Sequence, residues 1–208
     1  MAITGIALVL FVIVHMVGNL QFFLGQDALN SYAALLKSNK AVLWGARAGL
    51  LAVFLGHLFT AIRLKLRNKA ARPNSYQYSA TVKASGASRT MIITGLILLA
   101  YTIYHISHFT LGLTHPNHFS LTDPEGRHDV YGMVLLGFQS PAVAWGYVAA
   151  MLALAYHLSH GIKSVFQTIG FNNENYNCKI TATAIGIAVF LFLGFSAIPV
   201  SIQLGLVN

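Results

Sequence analysis

Residues 89–112 read RTMIITGLILLAYTIYHISHFTLG. After Arg89 the run carries no formally charged residue. It is as long as the ~20 residues an α-helix needs to cross a bilayer. Two histidines, His105 and His108, lie in it three positions apart, and so on one helical face. An imidazole at membrane depth is costly, so its presence needs a chemical reason. Three more apolar runs are built the same way: ITGIALVLFVIVHMVGN (3–19) with His15, LLAVFLGHLFTAI (50–62) with His57, and AAMLALAYHLSHGI (149–162) with His157 and His160. A fifth run, 180–204, carries neither histidine nor charge. One histidine in each of four successive spans is the pattern of axial haem ligands held inside a helix bundle.

The bulk composition agrees with a membrane protein. Of 208 residues, 56% are hydrophobic and only 9% charged, which excludes an ordinary soluble domain of this size. The predicted architecture is an all-α polytopic membrane protein. Its single domain, 1–208, has five transmembrane helices near 2–24, 42–65, 89–112, 141–166 and 180–204. The first run has no basic leader and no small-residue cleavage pattern, and it holds His15, so it reads as a mature helix rather than a signal peptide. A net charge of +8 suits nucleic acid when taken alone, but seven of the thirteen basic residues fall between Arg63 and Arg89. That clustering is a positive-inside signal. It argues against a nucleic-acid partner and places the N-terminus and the 2–3 and 4–5 connections in the cytoplasm. Arg72-Pro73-Asn74 marks a turn within that basic connection. The single cysteine, Cys178, excludes an intrachain disulfide or a cysteine cluster.

Between the first two spans, 26–40 is polar with an apolar stripe at Leu29, Tyr32, Ala33 and Leu36, the pattern of a short interfacial helix. It serves as a connector or as a lid over a cofactor edge. Gly18, one turn past His15, would let a flat ligand approach the backbone. Gly45, Gly49, Ala52 and Gly56 form a small-residue stripe suited to close helix packing. Arg47 is placed either to snorkel to the interface or to neutralise a haem propionate. The external 113–140 loop holds His115, His118 and His128 at no recognisable metal-site spacing. They read as solvated or as neighbours of a quinone head group. A small-residue face, Gly146, Ala150 and Ala153, leads to His157, and Pro199 is expected to kink the last span.

Depth pairs the histidines. At the ~1.5 Å rise per residue, His15 and His105 lie about 20 and about 24 Å from the cytoplasmic helix ends. His57 and His157 lie about 12–14 Å from them. This gives an outer pair from spans one and three and an inner pair from spans two and four, roughly 10 Å apart. His108, His160 and Arg47 remain as supporting residues around the ligands. Two imidazoles fill both axial positions of a haem iron, which points to electron transfer rather than dioxygen chemistry.

Four motifs then carry a family resemblance: His-Met-Val-Gly-Asn-Leu from His15, Gly-His-Leu-Phe-Thr-Ala around His57, Ser-Arg-Thr-Met-Ile-Ile-Thr-Gly ahead of Tyr-His-Ile at His105, and Tyr-His-Leu-Ser-His-Gly with Ser-Val-Phe-Gln-Thr at His157. Over essentially the whole chain they resemble the cytochrome b subunit of succinate dehydrogenase and fumarate reductase, in its single-chain, five-helix, di-haem form. The resemblance implies His15, His57, His105 and His157 as ligands of two b haems. It also implies a cytoplasmic flavoprotein and iron–sulfur protein as partners, and a membrane quinone, menaquinone more readily than ubiquinone, as substrate. The expected location is a bacterial-type cytoplasmic membrane. Some fumarate reductases of this kind use helix-borne carboxylates at the quinone site, and these spans hold none. Two other readings compete: the b-type subunit of another quinone-linked dehydrogenase, and a transporter with histidines in its helices.

Overall fold

The computed structural model describes residues 1–71, 85–171 and 173–207. Among the described residues the chain forms nine α-helices and no strand beyond the isolated bridge Thr122–His128. They are α1 (Ala2–Leu20, continued as a 3-10 turn Gln21–Leu24), α2 (Gln26–Ser38), α3 (Lys40–Ala70), α4 (Gly86–Arg89), α5 (Met91–His105, continued as a π-helical turn Ile106–Thr110), α6 (Pro116–Phe119), α7 (Val130–Gln139), α8 (Pro141–Thr168) and α9 (Glu174–Gln203). Five of these, α1, α3, α5, α8 and α9 with their continuations, are long and apolar enough to cross a membrane.

Local chemistry sets the helix starts. Asn39 accepts the Val42 N–H at 3.1 Å and opens α3, and Asn173 accepts that of Asn175 at 2.8 Å and opens α9. Pro141 occupies the first turn of α8, where its missing N–H costs nothing. Two helices outrun their expected ends. α3 reaches Ala70 rather than 65, because straight-chain Lys and Arg residues continue the helix beyond the apolar run. α9 begins at Glu174 rather than 180, its polar first turns being capped. It also continues through Pro199 to Gln203. The turn at Arg72-Pro73-Asn74, and Lys83 with it, lie outside the described residues.

The spans pack as a bundle with α8 at its centre. α9 lies along α8 and also against α1, α5 packs on α8 as well, and α3 packs on α1. One apolar core joins Met16, Leu158, Ile162, Ala184, Ala188 and Leu191. Gly194 of α9 lets the Met16 side chain lie against the helix backbone. α3 has no buried residue, and among the described residues nothing lies within 4 Å of where a Cβ on Gly45 or Gly49 would stand. The expected packing stripe on this helix is therefore open among the described residues, except that a Cβ on Gly56 would stand 3.8 Å from Thr4.

One end of the bundle, carrying Met1, Ala70, Met91, Thr168 and Glu174, is the basic end. The other is capped by α2, α6 and α7. A second core at this capped end joins Phe22, Leu29, Phe138, Ala144, Tyr147, Ile198 and Ile202. Over it runs a polar lock. Buried Asn30 donates to Asp123 at 3.1 Å and to Asp129 at 2.9 Å, and accepts the Tyr131 N–H at 3.0 Å. Gln26 adds a bond to Asp129 at 2.9 Å. Arg127 ties Asp123 (2.6 Å), Asp27 (3.0 Å) and Glu125 (3.0 Å) together. The interfacial helix is thus pinned to the 121–131 segment rather than acting as a loose connector.

Candidate functional site: two levels of helix-borne histidines

His15 of α1 and His105 of α5 meet across the bundle, their ring centroids 5.9 Å apart and their planes at 81°. Phe11 and Phe195 flank His15, and Tyr101 stacks on His105. Asn19, one turn beyond His15, donates to its Nε2 at 3.3 Å. Nδ1 of His105 is buried with no hydrogen-bond partner among the described residues.

His57 and His157 lie at a second level. His57 Nδ1 is 3.2 Å from the Thr4 hydroxyl, and its ring rests against Gly5. His157 Nδ1 is 3.0 Å from the Thr94 hydroxyl, and its ring rests against Gly95. Thr4 precedes His15 by the same eleven positions by which Thr94 precedes His105. Eleven residues make just over three helical turns, so each threonine and its upper histidine share one face. The interval is about 16 Å along the axis. The two levels are therefore further apart than the roughly 10 Å expected, because α3 and α8 run on past the starts of α1 and α5, which sets His57 and His157 against the first turns of those helices.

The spacing exposes an internal repeat. Ile3-Thr4-Gly5 ends ten residues before His15, and Ile93-Thr94-Gly95 ends ten residues before His105. His57-Leu58 precedes Ile62-Arg63 as His157-Leu158 precedes Ile162-Lys163. Helix pairs one–two and three–four thus place the same residue types at the same levels. This self-similarity was the available signal for Thr4 and Thr94, which reading each span separately misses.

The other sequence-derived residues go elsewhere. His108, only 2% exposed, sits in the π-helical turn. Its Nδ1 is 3.0 Å from the Tyr147 hydroxyl, and its Nε2, without a partner among the described residues, faces Gly137. It neighbours His115 at 4.9 Å, which stacks on His118 at 5.1 Å. This column leads away from His15 toward the cap. Burial, and then the charge of His115, hold the His118 imidazole below its ordinary value. Among the described residues no three His, Cys, Asp or Glu side chains are arranged to hold a metal ion. His160 makes no side-chain hydrogen bond among them. Arg47 lies exposed over Trp44, 5.1 Å from the ring centroid, at the start of α3. Gly18 is occupied: a Cβ there would stand 2.8 Å from the Tyr32 hydroxyl, so the glycine admits α2 and not a ligand. Gly146, Ala150 and Ala153 do line a cavity, of about 590 Å³, between α8 and Ile97, Tyr101 and Tyr104 of α5.

The donor set suits haem. Two imidazoles binding one iron at about 2 Å each have ring centroids roughly 6 Å apart, and the upper pair stands at 5.9 Å. At the lower level the threonines engage Nδ1 of each ring, and Nε2 of each has no hydrogen-bond partner among the described residues.

The sequence model described as "Succinate dehydrogenase/Fumarate reductase transmembrane subunit" matches residues 65–195. The chain belongs to that family. The match runs from the end of α3 through most of α9 and includes His105 and His157, while His15 and His57 precede it. No curated protein and no solved structure matches the chain. As a family member the chain is a multi-pass membrane subunit of the succinate dehydrogenase/fumarate reductase complex.

Proposed function

We propose that this subunit binds two b haems, one between His15 and His105 and one between His57 and His157, and carries electrons between an iron–sulfur subunit and a membrane quinone. One observation supports the reading: within a family of membrane subunits of succinate dehydrogenase and fumarate reductase, four spans present histidines at two levels, His15 facing His105 at the upper one and His57 and His157 each held by a threonine at the lower one. Haem supplies a one-electron carrier at each level, and paired imidazoles leave its iron no site for dioxygen. The protein's part is to hold each ring at its level and to surround it with apolar and aromatic side chains. The exposed cations Arg63, Lys65, Arg67 and Lys69 of α3 mark the basic end as cytoplasmic, facing the iron–sulfur and flavoprotein subunits. The quinone, menaquinone in this reading, exchanges electrons with the chain of haems. A reduced-minus-oxidised optical spectrum of the purified complex tests this. Sharp low-spin b-type bands are expected, and a featureless spectrum would leave a family member without haem.

A further inference from the structure

We propose that Thr4 and Thr94 are positioning residues that lock His57 and His157 in one tautomer, with Nε2 as the metal-binding atom, at the lower level only. The inference rests on the haem reading above.

A hydroxyl has one proton to donate. Thr4 directs its proton to the Met1 carbonyl at 2.9 Å. Thr94 directs its proton to the carbonyl of Thr90 at 3.1 Å or of Met91 at 3.2 Å. With that proton committed to the helix, the oxygen can only accept, so Nδ1–H of each imidazole donates to it. The ring is then neutral, with its lone pair on Nε2, which is the form and the atom that bind iron. In the reverse arrangement the hydroxyl would donate to Nδ1. That would place the ring proton on Nε2 and strip the threonine of its bond to the helix. The lock occurs twice, from two helices of an internal repeat, and each threonine is followed by a glycine that brings the backbone against the ring. The upper level lacks it: Asn19 meets Nε2 of His15, and Nδ1 of His105 has no partner among the described residues.

A hydrogen bond from Nδ1–H to an oxygen makes the imidazole a stronger base and favours the oxidised iron. Removing it should raise the reduction potential of the lower haem alone and weaken its retention by about tenfold. The test is an optical redox titration of the purified complex carrying Thr4→Val or Thr94→Val, which replace the hydroxyl by a methyl in the same shape. Thr4→Ser and Thr94→Ser are the rescue variants. The expected result is an upward shift of one midpoint potential in each valine variant, restored by serine. The haem that shifts is the one missing from His57→Ala. Unmoved potentials in both valine variants overturn the proposal, as does a shift confined to the haem missing from His105→Ala. A wild-type complex that holds no haem at all defeats the underlying reading instead, and with it this inference.

Discussion

His105 and His108 lie three residues apart on one helix, and the structure gives them different surroundings. His105 meets His15 at 5.9 Å, whereas His108 is turned into the cap toward Tyr147 and His115. Replacing a ligand leaves an iron with an open axial site, while replacing a packed neighbour leaves the coordination intact. His105→Ala should therefore lose one haem or turn it high-spin. His108→Ala should keep both haems low-spin while lowering stability by about 2 kcal/mol, through the lost bond to Tyr147 and the cavity created. Spectra of the two purified variants check this, and haem loss confined to His108→Ala would move the ligand by one turn. At this scale the sequence was informative about which residue types matter and poor at showing where they point. Depth alone ranked His105 above His108, but nothing in the spacing shows the π-helical turn that swings His108 outward. Gly18 is the opposite case, a glycine whose neighbour, Tyr32, comes from another element.

Among the elements, the spans were legible because hydropathy and length decide them, and four of the five start within two residues of expectation. The cap was not. Its lock joins Gln26 and Asn30 to Asp123, Arg127 and Asp129, two polar segments some hundred residues apart with nothing in either to mark the other as its partner. Burial alone would raise the Asp129 carboxyl, but hydrogen bonds from the Gly132 N–H, Asn30 and Gln26 outweigh it and hold it below the ordinary range. Asp123 behaves likewise, with burial opposed by Arg127 and Asn30. Their stabilisation is present above about pH 3.9 and is lost as the pH falls through the depressed values. His118 and His128 are held low, chiefly by burial, so they stay neutral in the fold where the unfolded chain protonates. Their contribution is present above about pH 6.5 and shrinks as the pH falls toward the lowered values. Protection of the α2 amides, measured against intrinsic exchange at each pH, should therefore fall in two acid steps. His118→Gln with His128→Gln should remove the upper step and spare the lower. A single step that is unaffected by these changes would separate the cap from both groups. Asn30→Leu should cost about 3 kcal/mol by breaking three buried hydrogen bonds, two of them to carboxylates, and should expose α2 to exchange at neutral pH.

Over the whole molecule, the internal repeat places the histidines of spans one and three above those of spans two and four, with the two levels about 16 Å apart along the helix axis. The basic end crowds Arg63, Lys65, Arg67 and Lys69 on one exposed stretch of α3. Reversing all four charges should release the flavoprotein and iron–sulfur subunits from isolated membranes while leaving the chain inserted. Undiminished retention of those subunits would leave these residues with topology alone. The two-level arrangement carries function only if the chain is a di-haem carrier, and the haem stoichiometry of the complex tests that most directly. A pyridine haemochrome assay on the purified complex should give two b haems per chain, and a value of one or none would contradict the account.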